Sequence, residues 1–346
     1  MKKTKKTTKS QMLAASLLTL ILVLPTAALS QLERGEVETF VVLTVGNRPE
    51  GIAVSHRGAV YVGNRIFDGT TITKQILAVN NDGVAAVFAT LRDTSSESPG
   101  LLGLAIDRSG NLCAALASFD PATHGVYIIG PDGGGIERLA GSEAIALPNA
   151  LAFDTEGRLY VSDSTGAIWR YANGAFAIWA QDPLLEPLPD DPFGFPLPGA
   201  NGIGFSDFHR SPALYVANTE RSMLLRIAIA PDGSAGPVVA VTPQFSLLTV
   251  DGIAVDVHGN VHAVLIGFAL LGTPPLVQVN TATGVITPTV TDPAEAAKFD
   301  TPASIAFGKR RDSRSVYVTN SDLPEVPGGP GPGVVRVGVG VYGSPR

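Results

Sequence analysis

The sequence lacks cysteine pairs, a surplus of basic residues, and any stretch with a sustained helical period. Cys113 is the only cysteine among 346 residues, so no disulfide can form within the chain. Acidic residues number 31 against 25 basic ones, and an acidic surface argues against nucleic acids and anionic membranes as partners. The absence of a helical period argues against α/β folds. With 38 glycines and 26 prolines, the chain suits short strands joined by many turns.

The first thirty residues differ from the rest and predict a signal peptide over 1–30. Five lysines precede an apolar run, Leu13 to Leu24, which is too short to span a bilayer comfortably. Small residues at Ala28 and Ser30 predict cleavage before Gln31, with an uncleaved anchor as the alternative. Without this segment the chain carries 20 basic and 31 acidic residues, a formal charge of −11. We therefore expect an exported protein, periplasmic or extracellular, in which residues 31–346 form one domain.

One short phrase returns six times along the chain, at steps of 47 to 52 residues. Its apolar part barely changes, while the residue in front of it varies. The six copies are Glu50-Gly-Ile-Ala-Val, Leu102-Gly-Leu-Ala-Ile, Asn149-Ala-Leu-Ala-Phe, Asn201-Gly-Ile-Gly-Phe, Asp251-Gly-Ile-Ala-Val and Ala303-Ser-Ile-Ala-Phe. A fixed period of this length is typical of a repeat fold.

Each phrase opens a unit with the same order of strands and turns. The apolar run is followed by a turn such as Asp154-Thr-Glu-Gly157, and a second apolar run such as Leu159-Tyr-Val follows. Two further β-rich runs complete the unit, for example Ala167 to Tyr171 and Ala175 to Trp179. Four strands in about 50 residues, repeated six times, predict an all-β fold, a six-bladed β-propeller.

The sixth unit lacks an outer strand of its own. The run Glu38 to Thr44, which precedes the first phrase, can supply this strand and close the ring. Closure by an N-terminal strand removes the open sheet edge that would otherwise need protection.

The six residues that open the phrases should meet around the central channel, because the innermost strand of each blade lines it. Four of them carry side-chain oxygens: Glu50, Asn149, Asn201 and Asp251. Two carboxylates and two amide oxygens suit Ca²⁺, and the lack of His and Cys disfavours zinc and copper. The alternative is that each residue only caps the preceding loop, as Asn and Asp often do. Because all four residues occupy the same position of the repeat, a metal site is favoured, with another divalent cation as the alternative to calcium.

These openings also resemble a known family. Glu50-Gly, Pro148-Asn149, Asn201-Gly-Ile and Asp251-Gly-Ile resemble, in order and spacing, the senescence-marker-protein/gluconolactonase/luciferin-regenerating-enzyme family. The wider group includes diisopropylfluorophosphatase and the paraoxonases, and the resemblance covers residues from about 38 to 342. The resemblance implies a six-bladed propeller with a catalytic calcium held by Glu50, Asn149, Asn201 and Asp251. In the family, such sites hydrolyse lactones or phosphotriesters.

The expected chemistry follows from a metal beside a carboxylate. Calcium would polarise a carbonyl or phosphoryl oxygen, and Asp251 would act as general base or nucleophile. Asp251 and Asn201 are therefore the candidate catalytic residues, and Glu50 is expected to be a ligand only. The substrate is expected to be a small lactone or ester, and the protein a monomer.

The chain also departs from the family in places. The segment Gly141 to Leu147 has no arginine to hold a sugar lactone, and Ala254 stands where diisopropylfluorophosphatase-like enzymes carry an acid for a second calcium. Among the histidines, His262 falls in a column of core residues, and His124 lies in a loop on the ring side. We interpret Cys113, from the same column, as a packing residue.

Long loops on the ring side predict the walls of an apolar pocket: Gln181 to Gly199, Gly267 to Pro275 and Leu323 to Gly333. Such walls favour a lipophilic ester or lactone over a polar sugar. Two other functions remain open, because propellers serve many. One is a non-catalytic propeller that binds a ligand or protein around a structural ion. The other is a strictosidine-synthase-like or lyase activity on the same scaffold.

Overall fold

The computed structural model describes residues 31–67, 72–95, 98–190, 194, 197–321 and 328–344. The chain divides into Met1–Ser30 and Gln31–Arg346, and all described residues belong to the second unit. These residues form six four-stranded antiparallel sheets, which are the blades of the predicted propeller. Cleavage before Gln31 stays a prediction. No described helix is both long and apolar enough to cross a membrane.

The strands follow one another along the chain, four to a blade. Blade 6 is closed by the first strand, β1 (Val37–Val42). Blade 1 contains β2 (Asn47–Val54), β3 (Val60–Phe67), β4 (Ile72–Val79) and β5 (Ala85–Leu91). Blade 2 contains β6 (Gly100–Ile106), β7 (Leu112–Ala117), β8 (Gly125–Ile129) and β9 (Glu137–Arg138). Blade 3 contains β10 (Pro148–Phe153), β11 (Leu159–Asp163), β12 (Ala167–Ala172) and β13 (Ala175–Gln181).

The second half repeats this order. Blade 4 contains β14 (Ala200–Ser206), β15 (Ala213–Asn218), β16 (Met223–Ile229) and β17 (Ala235–Ala240). Blade 5 contains β18 (Val250–Val255), β19 (Val261–Leu265), β20 (Leu276–Val279) and β21 (Ile286–Pro288). Blade 6 contains β22 (Pro302–Phe307), β23 (Ser315–Asn320) and β24 (Gly333–Gly338). The described helices are two four-residue α-helices, α1 (Phe268–Leu271) and α2 (Pro293–Ala296), and three 3₁₀ turns, Ser142–Ala144, Phe208–Arg210 and Arg310–Asp312.

The predicted closure of the ring is confirmed. Strand β1 pairs antiparallel with β24, from Val37 opposite Val337 to Val42 opposite Gly333. Arg336 of β24 forms ion pairs with Glu38 of β1 and with Asp312. The backbone N–H of Val37 donates to the carboxylate of Glu295, a residue of α2. The N-terminal strand is therefore held by its sheet ladder and by charged side chains of blade 6 and of α2.

The core lies between the blades, where buried apolar residues of neighbouring sheets pack face to face. One cluster joins blades 3 and 4 through residues such as Ile168, Leu214 and Ile227. Another joins blades 5 and 6 through Val264, Val316 and Val337. Because each repeat buries its apolar faces only against its neighbours, the six units need one another for a complete core.

Candidate functional site

All six phrase-opening residues lie at an irregularity between the first two strands of a blade. The strand register shifts between Pro49 and Ile52 in blade 1, and at the equivalent position in each of the other five blades. A β-bulge disrupts the ladder locally and re-aims a side chain. In each blade, the side chain of the phrase-opening residue therefore departs from the regular alternation of side chains between the two faces of the sheet.

Successive innermost strands approach closely beside these residues, so the six positions form a closed ring. A Cβ atom at Gly51 would lie 3.0 Å from the carbonyl oxygen of Leu102, and one at Gly252 would lie 2.7 Å from that of Ala303. A Cβ atom at Gly103 would collide with Asn149, and one at Gly202 with Asp251. The glycine after the opening residue is thus needed for the close approach of backbone to backbone.

Two blades have no glycine at this place, and a buried hydroxyl bridges the strands instead. Ser162 accepts a hydrogen bond from the Ala150 N–H (2.9 Å) and donates one to the carbonyl oxygen of Asn201 (2.6 Å). Thr319 accepts from the Ser304 N–H (3.0 Å) and donates to the carbonyl oxygen of Glu50 (2.8 Å). The second bridge joins blade 6 to blade 1, so the ring is complete around the channel.

The two carboxylates of the ring interact through space, although they are 201 positions apart in the chain. Burial raises the pKa of Glu50 well above its usual range, and the nearby charge of Asp251 raises it further. Burial also raises the pKa of Asp251 to about 7, although a hydrogen bond with the Asn201 side chain opposes the rise. No Lys or Arg of the described part of the chain is among the groups that shift these two pKa values. This mouth of the channel therefore holds two acids without a described cation beside them.

Each of the two asparagines is oriented by a hydroxyl group that directly follows the second strand of its own blade. The Asn149 amide nitrogen donates to Ser164 Oγ at 3.0 Å, and the Asn201 amide nitrogen donates to Thr219 Oγ1 at 2.9 Å. Both asparagines and both hydroxyl residues are buried. With the nitrogen held in this way, the amide oxygen is left available to accept or to coordinate.

This donor set fits a hard divalent cation. It offers two carboxylates, whose mutual repulsion a cation would relieve, and two amide oxygens with their nitrogens already engaged. Within the described ranges there is no group of three or more His, Cys, Asp and Glu side chains that could hold a metal, and the ring contributes only two. Leu102 and Ala303 leave two sectors of the ring apolar. Calcium coordination by Glu50, Asn149, Asn201 and Asp251 stays a prediction.

The histidines weighed from the sequence are engaged in the framework. The Nε2 atom of buried His262 lies 3.3 Å from Asp256 Oδ2. Equivalent contacts occur in blades 3 and 6. The Tyr160 hydroxyl donates to Asp154 Oδ2 (3.1 Å), and the Tyr317 hydroxyl donates to Asp312 Oδ2 (3.0 Å). His262 is thus the equivalent of those tyrosines in blade 5.

His124 is buried, and backbone groups surround both of its ring nitrogens. Nε2 lies 2.6 Å from the carbonyl oxygen of Ile145, and Nδ1 accepts from the Ser118 N–H at 3.1 Å. It ties the β7–β8 loop to the loop before β10. Cys113 is also buried, and burial raises its pKa to about 12, so its thiol is unsuited to nucleophilic attack near neutral pH.

The predicted pocket walls are described only in part. In the loop before β14, Leu185 is buried and Leu184 is half-buried, whereas Phe193 and Phe195 lie outside the described residues. Between β19 and β20 the helix α1 exposes 85% of Leu270. Five of the eleven residues of the loop from Leu323 to Gly333, 323–327, also lie outside the described residues. The apolar pocket stays a prediction. Leu270 is one residue of its predicted walls that the structure describes, and its side chain is exposed.

Comparisons with known proteins agree with this architecture. A family model described as strictosidine synthase-like, N-terminal, matches residues 136–171, a segment that includes Asn149 and Ser164. No curated protein matches the sequence. Regucalcin, a calcium-binding protein from Agrobacterium tumefaciens, is 15% identical, with a TM-score of 0.63 over 90% of this chain and 96% of that one. A gluconolactonase from Xanthomonas campestris is 15% identical, with a TM-score of 0.58 over 89% of this chain and 93% of that one.

At these identities the likeness shows the fold. The chain has the propeller fold of the regucalcin and gluconolactonase structures, as the resemblance of its repeat openings predicted.

Some residues around the ring were missed by sequence reasoning. Ser164 and Thr219, which orient the asparagines, lie 15 and 18 positions after Asn149 and Asn201. Each follows the polar residue that ends the second strand, Asp163 or Asn218. A search for hydroxyls at that position in the repeat would have found both.

Proposed function

We propose that the protein is a calcium-dependent hydrolase of lactones or related esters, with its site at the ring of phrase-opening residues. The observation that carries this proposal is the meeting of Glu50 and Asp251, two acids with raised pKa values, beside two asparagines with tethered amide nitrogens. The regucalcin and gluconolactonase folds support the class of reaction. Phosphotriesters are the next substrates to test, because a phosphoryl oxygen can be polarised in the same way.

Each residue of the ring has a distinct part in the proposed site. Glu50, Asn149, Asn201 and Asp251 would hold the cation, which when bound would polarise the substrate oxygen. Asp251 would take up a proton from water or attack the acyl carbon. Asn201, held by Thr219, keeps the Asp251 carboxylate in place through their hydrogen bond. In hydrolysis water adds across the acyl C–O bond and yields a carboxylic acid and an alcohol.

Asp251→Asn tests the central role, because it keeps the shape of the side chain and removes its negative charge. We expect loss of turnover on a panel of aliphatic lactones, aryl esters and phosphotriesters, since a general base typically contributes about 10²–10⁴-fold. Asp82→Asn, at an exposed turn residue of blade 1, is the matched control and should leave turnover unchanged. Equal activity of wild type and Asp251→Asn would remove Asp251 from the mechanism.

Glu50→Gln tests the metal ligand set independently of turnover. A calcium titration followed by calorimetry should show weaker binding in the variant, because one of two charged ligands is lost. An unaltered titration would contradict the role of Glu50.

A second candidate is a propeller that binds calcium without turnover. The similarity to a structure named as a calcium-binding protein favours it. Tight calcium binding with no hydrolysis of any substrate in the panel, with and without chelator, would select this function.

A further inference from the structure

Blade 1 carries three cationic side chains side by side at the ring end of its strands. Arg48 of β2 stands opposite Arg65 of β3, and Arg65 stands opposite Lys74 of β4. Directly opposed residues of neighbouring antiparallel strands project from the same face of the sheet, with Cβ atoms about 4.5–5.5 Å apart. The row therefore crosses one face of the blade. It begins two residues before Glu50, a rise of about 7 Å along the strand.

This face of the blade is turned toward blade 2. A Cβ atom at Gly100, the first residue of β6, would lie 3.5 Å from Cβ of Arg65 and 3.6 Å from Cε of Lys74. Gly100 has φ +110°, a conformation that favours glycine, so no side chain of β6 stands between the two cations at this point.

One described carboxylate faces the row, and it is already heavily engaged. Asp93 lies 3.3 Å from Lys74 Nζ, and both side chains are buried. Asp93 also accepts hydrogen bonds from the Ser95 N–H (3.0 Å), from Ser118 Oγ (2.6 Å) and from Ser98 Oγ. Among the described residues, Asp93 therefore shares its two oxygens between Lys74 and these hydroxyl and amide donors.

Arg65 Nε is buried without a hydrogen-bond acceptor in the described part of the chain. The ammonium group of Lys74 has three N–H donors, and among the described residues its one ion-pair partner is Asp93, at 3.3 Å. Lys74 as a whole is only 1% exposed. A buried charged donor without an acceptor is destabilising, so such a group in a native structure calls for an explanation, and a bound ion is one. Arg65 and Lys74 stand directly opposite each other in the sheet, so one ligand can reach donors of both.

We propose that Arg65 and Lys74 form an anion subsite on the blade 1 side of the channel mouth, which binds an oxyanion through Arg65 Nε and through the N–H groups of Lys74 that do not face Asp93. An oxyanion accepts charge-assisted hydrogen bonds from guanidinium and ammonium groups together. Because hydrolysis of an ester or lactone produces a carboxylate, the ligand is the carboxylate of a substrate or product. That identification of the ligand rests on the proposed function, whereas the binding of an oxyanion does not.

Anion titrations of the metal-free protein test the subsite without any need for turnover. Thermal unfolding is followed in increasing acetate and, separately, increasing phosphate, at constant pH and ionic strength. We expect a saturable rise in Tm for the wild type, as for any ligand of the folded state. Arg65→Gln should weaken the apparent affinity at least about tenfold, because a hydrogen bond to a charged group is lost. Arg65→Lys, which keeps the charge, should recover part of it.

Arg57→Gln is the matched control, an exposed arginine in a turn of the same blade, and should titrate like the wild type. Saturation by acetate identifies a carboxylate subsite, whereas saturation by phosphate alone overturns the carboxylate assignment in favour of a free inorganic anion. No saturable shift in the wild type, or equal shifts in the wild type and Arg65→Gln, overturns the subsite. If the panel shows no hydrolysis but acetate still saturates, the proposed function fails and the subsite stands.

Discussion

Asn149 and Asn201 show how a single hydrogen bond decides what an amide side chain can do. An asparagine offers both donors and an acceptor, so its type alone does not say which end faces the channel. Ser164 and Thr219 accept from the amide nitrogens, and this fixes the orientation. Groups that position metal ligands in this way affect binding almost as strongly as the ligands themselves.

Thr219→Val should lower calcium affinity about 10–100-fold, because the Asn201 amide loses the acceptor that orients it. The measurement is a calcium titration by calorimetry. Thr289→Val is the matched control, since Thr289 is equally buried and its hydroxyl has no partner within the described residues. Thr289→Val should bind calcium like the wild type. Equal affinity in both variants would contradict a positioning role for Thr219.

At the scale of the secondary-structure element, the closing strand β1 depends on Arg336, which bridges two acids of different exposure. The Asp312 side chain is buried together with that of Arg336, at 9% exposure each, whereas the Glu38 side chain is 45% exposed. Tyr317 also donates to Asp312 at 3.0 Å. The arginine therefore links β1 to the hydrogen-bonded column of blade 6.

Arg336→Met should lower the free energy of unfolding by up to about 3–5 kcal/mol, because it leaves the buried Asp312 charge with only the half-exposed Arg311, at 3.5 Å, as its cation. Glu38→Gln removes only a half-exposed partner and should cost no more than about 1 kcal/mol. Urea denaturation of both variants measures the two values. Similar losses in both would show that Asp312 does not need the ion pair.

At the scale of the whole molecule, the ring brings acids from blades 1 and 5 together, with Asp251 buried and Glu50 half-buried. The folded-state pKa of Asp251 is about 7, above an unfolded value of about 3.9. The folded state thus holds a proton that the unfolded state has released between these two values. The contribution of this group to stability is fully present below pH 4 and is lost as the pH rises through about 7.

Calcium should therefore stabilise the protein more at pH 8 than at pH 5.5, because it replaces a bound proton at low pH and relieves carboxylate repulsion at high pH. Thermal unfolding with calcium or with chelator at both pH values measures this difference. Asp251→Asn should be more stable than the wild type at pH 8 in chelator, since a buried charge is removed, and should lose the calcium effect. A calcium effect that does not change with pH would contradict the raised pKa of Asp251.

The sequence by itself determined the number of blades, the strands of each repeat, the N-terminal closure and the six positions that line one mouth of the channel. These features follow from a local pattern of apolar residues and turns that recurs at a regular period, and a periodic chain can bury its apolar faces only by stacking its units. The order of Glu50, Asn149, Asn201 and Asp251 in that pattern was enough to place them on one ring.

The tertiary structure alone decided how the side chains are used. It placed Ser164 and Thr219 against the asparagines, turned His124 and His262 into framework residues, and brought Arg65 and Lys74 to face Gly100 of the next blade. None of these contacts follows from periodicity, because each depends on which side of a strand a residue faces and on what a neighbouring loop or blade presents to it. The bulge at the start of each blade changes the direction in which a side chain points. Which groups that side chain then contacts is decided only when the sheets pack together.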